Sequence, residues 1–165
     1  MFLKTPLMCV VLAASCFAAE NLPVTQAESL SGQKITFPPA LAGMPAVCVF
    51  GFTREAGDKT KIWMTKLNDA GIKAWSIAEL ESAPAFVRGM IRSSMRKGTP
   101  QPLLERSLVM TKDEKAWRGA LGVKQENLPV VVLLDAMGRV LWTYEGAVGE
   151  ESLAELMKRL NAAGQ

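Results

Sequence analysis

Histidine is absent from the chain, and that absence excludes more chemistry than any single residue present establishes. Without an imidazole there is no Ser–His or Cys–His activation of a nucleophile, and a transition-metal site loses its commonest ligand. Cysteine is nearly absent as well: Cys9, Cys16 and Cys48 are the three in 165 residues. A strong charge of either sign is missing, since 19 basic residues face 16 acidic ones. That balance offers neither the clustered basic face nor the stacking aromatics that nucleic acid demands. No cofactor, no metal and no nucleic-acid partner are therefore expected, and the chain shows no internal repeat or low-complexity tract. Its length suits one domain able to bury a proper core.

What is present begins with an export pattern. MFLKTP carries one positive charge, LMCVVLAASCFA is apolar, and small residues follow, which reads as a signal peptide over residues 1–18. The run is too short to span a bilayer comfortably, and no second apolar stretch follows it. A second reading takes A-A-S-C, residues 13–16, as a lipoprotein signal in which Cys16 is lipidated and becomes the mature N-terminus. The protein is thus expected outside the cytoplasm, periplasmic, with a membrane anchor only through Cys16 or a membrane-complex partner. Either processing route leaves Cys48 as the one thiol of the folded domain, so no internal disulfide is available.

Residues 19–29 read as a linker and 30–165 as the folded domain. S-G-Q-K-I-T-F places a turn before an alternating strand, and Ala46–Phe52 is a continuous apolar run suited to a strand covered on both faces. Asp58–Asn68 reads as a helix with Ile62, Trp63 and Leu67 inward, stopped by Gly71. Ile72–Ile77 reads as the next strand. Ala85–Lys97 is a helix with Val87, Ile91 and Met95 on its apolar face, Phe86 and Met90 alongside, and arginines every fourth residue. Ser107–Met110 reads as a strand and Lys112–Leu121 as a helix. PVVVLLDAMGRVLWTYEG is a strand, a turn and a second strand, and Glu150–Leu160 a closing helix with Leu153, Leu156, Met157 and Leu160 inward. Strands alternating with helices imply a mostly parallel sheet, made mixed by the last hairpin.

That order, with Pro129 directly before a hairpin strand, resembles the thioredoxin-like fold. The resemblance covers most of residues 30–163 and rests on S-G-Q-K-I-T-F, the strand-to-helix step at 46–60, and LGVKQENLPVVVLLDAMGRVLWTYEG. It implies an α/β, three-layer architecture with a central mixed sheet flanked by helices. It also implies that Pro129, preceded by Leu128, is a cis proline beside the active corner. The family's Cys-x-x-Cys position falls at or near Glu55-Ala56-Gly57-Asp58, where both thiols are missing. Dithiol exchange needs a thiolate at the helix start and a second thiol to resolve the mixed disulfide. Carboxylates accept the same helix-terminus hydrogen bonds without that redox chemistry. The chain is also similar to a divergent group lacking the pair, which includes the mitochondrial ATPase-assembly factor family and its bacterial relatives. G-F-T-R, R-G-M-I-R-S-S-M-R-K-G-T-P and V-V-L-L-D-A-M-G-R-V-L-W carry this likeness.

The candidate site residues follow. Thr53, Arg54, Glu55 and Asp58 occupy the strand-to-helix turn and, with Leu128 and Pro129, would form a corner that docks an extended peptide or protein segment. Glu55 or Asp58 would at the same time cap the helix. Arg88, Arg92, Arg96 and Lys97 form a secondary basic stripe, either a solvated helix face or a dock for anionic lipid or an acidic partner, the lipid being less attractive outside the cytoplasm. Cys48, on the strand several residues before the loop that carries Arg54, is the one candidate for catalysis, as a single-cysteine thiol peroxidase; that chemistry needs an exposed, low-pKa thiol near a positive charge, which Arg54 would supply. Its position in an apolar strand points instead to a buried, inert side chain. Trp63, Trp75, Trp117 and Trp142 are expected in or beside the core. Trp142 and Tyr144 share a strand face, and on an edge strand they would be aromatic anchors for a partner. The expectation is a redox-inactive binding or assembly module, with the thiol peroxidase as alternative.

Overall fold

The apolar run at 46–51 becomes an interior strand of a seven-stranded sheet, with both of its faces covered. The computed structural model describes residues 22–164. Its strands are β1 (Thr25–Ser29), β2 (Lys34–Phe37), β3 (Ala46–Gly51), β4 (Ala74–Glu79), β5 (Ser107–Met110), β6 (Val130–Leu134) and β7 (Val140–Glu145). Its α-helices are α1 (Arg54–Asp69), α2 (Ala85–Gly98), α3 (Glu114–Leu121) and α4 (Glu150–Ala163). The sheet order is β2-β1-β5-β4-β3-β6-β7.

Alternation along the strands sorts side chains into two cores. Val47 and Val49 of β3 join Val131 and Leu133 of β6 beneath Trp63 and Leu67 of α1 and Leu156 of α4. Cys48 and Phe50 join Val130, Val132 and Leu134 on the opposite face, with Phe37, Trp117 and Leu121. The period-2 geometry of a strand divides the two sets, and both are apolar because both faces are roofed. The result is the expected three-layer α/β architecture with a mixed central sheet.

Three differences from the sequence reading stand out. Only β3–β4 and β4–β5 are parallel among the described pairings, while β1–β2, β1–β5, β3–β6 and β6–β7 are antiparallel. The expectation of a mostly parallel sheet is therefore corrected. The linker expected over 19–29 is also corrected, because Thr25–Ser29 is β1, hydrogen-bonded on both sides. Its inward residues are Thr25, Ala27 and Ser29, too small and polar to announce a strand. Finally, the Leu128–Pro129 bond is not cis; the cis peptide bond among the described residues is Phe37–Pro38. Trans is the default for an X–Pro bond unless its surroundings demand otherwise.

Helix boundaries fall close to expectation except at α1, which starts four residues before Asp58 because Thr53 caps it. Trp63 and Leu67 are buried as expected, but Ile62 is 54% exposed, since Ala56, Thr60, Trp63, Met64 and Leu67 set the inward stripe. Gly71 ends the helix with φ of 74°, a left-handed turn that favours glycine. In α4, Leu156 is buried while Met157 faces largely outward. Among the described residues no helix is long and apolar enough to cross a membrane. The signal-peptide and Cys16 lipidation readings lie outside the described residues.

Candidate functional site

Where β3 meets α1 the backbones approach closely. A Cβ on Gly51 would sit 3.2 Å from the Gly57 nitrogen and 3.2 Å from Thr60 Oγ1, so a hydrogen at this position lets the helix begin directly behind the strand. Thr53, in extended conformation, then opens α1. Its Oγ1 accepts from the Ala56 N–H at 3.2 Å and donates to the Glu126 carbonyl at 2.8 Å. One hydroxyl thus caps the helix and fixes the loop that precedes β6. Neither Glu55 nor Asp58 is the cap.

The same loop is held from α1 a second time. Lys59 Nζ bonds both Glu55 Oε1 at 2.9 Å and the Asn127 carbonyl at 3.0 Å. The Lys59 hydrogen bond, with help from Asn127, lowers the pKa of the exposed Glu55 carboxyl. Arg54 is exposed and takes part in no ion pair among the described residues, which leaves its guanidinium available. Asp58 pairs along its own helix with Lys61 at 3.0 Å. Leu128 is half-buried and Pro129 buried, and the Pro129 carbonyl accepts from Gly146 N–H at 3.0 Å. The structure thus brings Thr53 and Glu55 to Glu126 and Asn127 of the loop, with the exposed Arg54 between them in the chain and Leu128 half-buried. It leaves Asp58 one turn away and places Pro129 underneath.

Sequence reasoning missed the residue that ties this corner together. Arg118 of α3 bonds Glu114 Oε1 at 2.7 Å and Glu126 Oε1 at 2.8 Å, and its guanidinium carbon lies 5.0 Å from the centre of the Phe52 ring. The Glu114–Arg118 spacing of four is visible in the sequence; the contacts to Phe52 and Glu126 are not.

Arg118 also connects the corner to an acidic cluster at the carboxyl end of β4. Glu79 is 3% exposed. Its Oε2 accepts from Glu81 N–H at 2.8 Å, while its buried Oε1 has no partner. Glu81 Oε2 accepts from Glu114 N–H at 2.7 Å, and Glu114 Oε2 from Ser82 N–H at 3.1 Å. Burial, reinforced by the Glu114 carboxyl beside it, pushes Glu79 up to about 8. Burial also works against the Glu114 carboxylate, but the hydrogen bond with Glu79 and the Arg118 guanidinium outweigh it and its pKa is lowered.

The remaining candidates fare differently. Cys48 is fully buried, and burial raises its thiol pKa far above the range of a reactive thiolate. It sits between Trp75 and Val132 in the sheet register and shares a core with Phe50 and Trp117, so Arg54 has no access to it. The basic stripe is not one free patch. Arg88 donates to the Ala83 and Glu81 carbonyls at 2.8 and 2.6 Å, and Arg92 pairs with Glu28 at 2.8 Å. Arg96 and Lys97 are exposed. Trp63 and Trp117 are core residues, and Trp75 packs against the core's edge. Trp142 and Tyr144 do lie on an edge strand, stacked at 5.9 Å, but they are half-buried against the α1–α4 core and Arg159 lies over Trp142. Their rings are already engaged.

No family model matches the chain, and no curated protein matches it. Solved structures do. BsSco, a member of the Sco family of cytochrome c oxidase assembly proteins, superposes with a TM-score of 0.61 at 13% identity, covering 87% of this chain and 93% of that one. A SCO1/SenC family lipoprotein from Bacillus anthracis gives 0.61 at 16% identity over 87% and 96%. A thio-disulfide isomerase from Thermus thermophilus gives 0.55 at 20% identity over 86% and 95%. The fold is thioredoxin-like. In this thioredoxin-like chain α1 opens with Arg54 and continues through Glu55, Ala56, Gly57 and Asp58, and those last four are the segment at or near which the sequence resemblance maps the cysteine pair. Its chemistry is that of a hydrogen-bonding surface: one exposed cation, one carboxylate with lowered pKa, and a loop fixed by Thr53, Lys59 and Arg118.

Proposed function

We propose that this is an exported, redox-inactive thioredoxin-like protein that works as a protein-binding or assembly module. Its docking corner consists of Thr53, Arg54 and Glu55 with the 126–128 stretch, and it takes an extended segment of a partner protein. The observation that carries this reading is the composition of the strand-to-helix turn: no thiol stands there, and the domain's described cysteine is buried in the core. Two thiols are required to form and resolve a mixed disulfide. The apolar LMCVVLAASCFA run supports export, and similarity to Sco-family assembly proteins and a lipoprotein supports an assembly role outside the cytoplasm. Lipidation of Cys16 would anchor the module to a membrane.

Three measurements test the reading. The purified protein should leave the disulfides of insulin intact under conditions in which a dithiol thioredoxin reduces them, and iodoacetamide should label Cys48 only after denaturant is added. Reduction that disappears in Cys48→Ser would overturn the proposal. A photo-crosslinking amino acid placed at position 54 should capture one discrete partner from cell envelopes, whereas the same group at Lys158 on α4 should not. Equal capture from both positions argues against a docking corner.

A further inference from the structure

The acidic cluster at the carboxyl end of β4 is built in a way that capping alone does not explain. Three backbone N–H groups, those of Glu81, Ser82 and Glu114, each take an oxygen from Glu79, Glu114 and Glu81 respectively. These bonds orient the three carboxylates and converge them. Oxygens of all three lie within 4.8 Å of one another. Among the described residues Arg118 is the one cation paired with the cluster, through Glu114, and it is shared with Glu126. Glu79 is buried to 3% exposure, and its Oε1 meets no N–H donor and no water, only the Glu114 carboxyl. Two carboxyls held together away from water need a proton or a cation between them, and the geometry points to a positively charged occupant.

From this geometry we infer that Glu79, Glu81 and Glu114 form a binding site for a hard divalent cation, calcium foremost. Two oxygens on one calcium ion, each at about 2.4 Å, lie no more than about 4.8 Å apart, so each pair of these carboxylates lies within the span of one ion. The donor set is oxygen throughout, with no imidazole in the chain and the described thiol buried elsewhere. That set favours calcium, magnesium or manganese over copper, nickel or zinc. Glu81 is exposed, which gives the ion a route in and leaves coordination positions for water. Three protein ligands make a modest site, of the kind that fills at about 0.1–1 mM calcium outside cells. The ion would bind the end of β4 to the start of α3, independently of the docking corner's function.

The test uses the whole protein, stripped with EDTA. Thermal unfolding followed over about 0.1–10 mM calcium chloride should show a rise of several degrees in Tm, as expected for a ligand that binds only the folded state. Terbium offers a readout independent of stability: Trp117, three residues after Glu114 in α3, should sensitise its emission, and calcium should displace it. Glu79→Gln and Glu81→Gln should each weaken terbium binding about tenfold or more, while Glu155→Gln on α4 leaves it unchanged. Glu81 is a surface residue, so its variant keeps the test open even where Glu79→Gln folds poorly. Absence of any calcium-dependent Tm shift together with absence of displaceable emission overturns the inference, as does wild-type affinity in both cluster variants. A larger response to magnesium than to calcium overturns the choice of ion.

Discussion

Replacing Trp63 with alanine is expected to lower the free energy of unfolding by about 3–5 kcal/mol, the range for deleting a buried tryptophan. The indole is fully buried between α1 and the sheet, lies edge-on to Tyr144 at 6.0 Å, and donates to the Gly146 carbonyl at 2.9 Å. Alanine would leave a cavity and a carbonyl without its donor. The damage should reach the proposed docking corner, because Gly146 in turn donates to the Pro129 carbonyl. Trp63→Phe keeps most of the volume and loses the hydrogen bond, so it should cost less, about 1–3 kcal/mol. Ile62→Ala, one residue away on the exposed side, should fall within about 0.5 kcal/mol of wild type. Urea unfolding followed by far-ultraviolet circular dichroism measures all three, and equal costs at positions 62 and 63 would contradict the packing described.

The second large effect concerns Glu79 and pH. Its carboxyl is raised from 4.5 to about 8 in the folded chain, chiefly by burial and then by Glu114. A raised carboxyl holds its proton longer in the native state than in the unfolded one. Stability from this group is therefore complete below about pH 4.5, declines as pH rises through the interval up to about 8, and levels off above it. The loss is on the order of a few kcal/mol. Glu79→Gln, a neutral replacement of the same shape, should flatten this decline and make the EDTA-treated protein more stable than wild type at pH 8–9. Glu114→Gln removes the neighbouring charge but not the burial, so the decline should shrink without vanishing. Denaturant midpoints at four or five pH values distinguish these outcomes, and a wild-type profile rising from pH 5 to 8 by the same amount as that of Glu79→Gln would exclude the assignment.

Much of the fold was legible in the sequence because its central strands are roofed on both sides. Ala46–Gly51 and Val130–Leu134 therefore read as unbroken apolar runs. The helices announced themselves by periodicity and by their stops, Gly71 among them. β1 did not, because Thr25, Ala27 and Ser29 fill a place where larger side chains from Phe37 and Leu108 complete the core. The corner proposed for docking was half legible. The turn that carries Thr53, Arg54 and Glu55 is a local feature, whereas Glu126 and Asn127 arrive from a loop about seventy residues away. The acidic cluster was not legible at all, since Glu81 and Glu114 are 33 residues apart and meet only because β4 and the start of α3 end at the same rim. The arginine stripe was a correct pattern on one helix that tertiary contacts then divided: Arg88 and Arg92 turned inward to Glu81 and Glu28.

The burial of Cys48 has a further result for the chain's fate under oxidation. A sulfur enclosed between the two helical layers meets peroxide or another thiol only when the whole sheet comes apart, so its rate of modification is a gauge of global opening rather than of local breathing. In an oxidising medium the native fold is spared, and chains that have lost it are the ones that become joined through sulfur as covalent pairs.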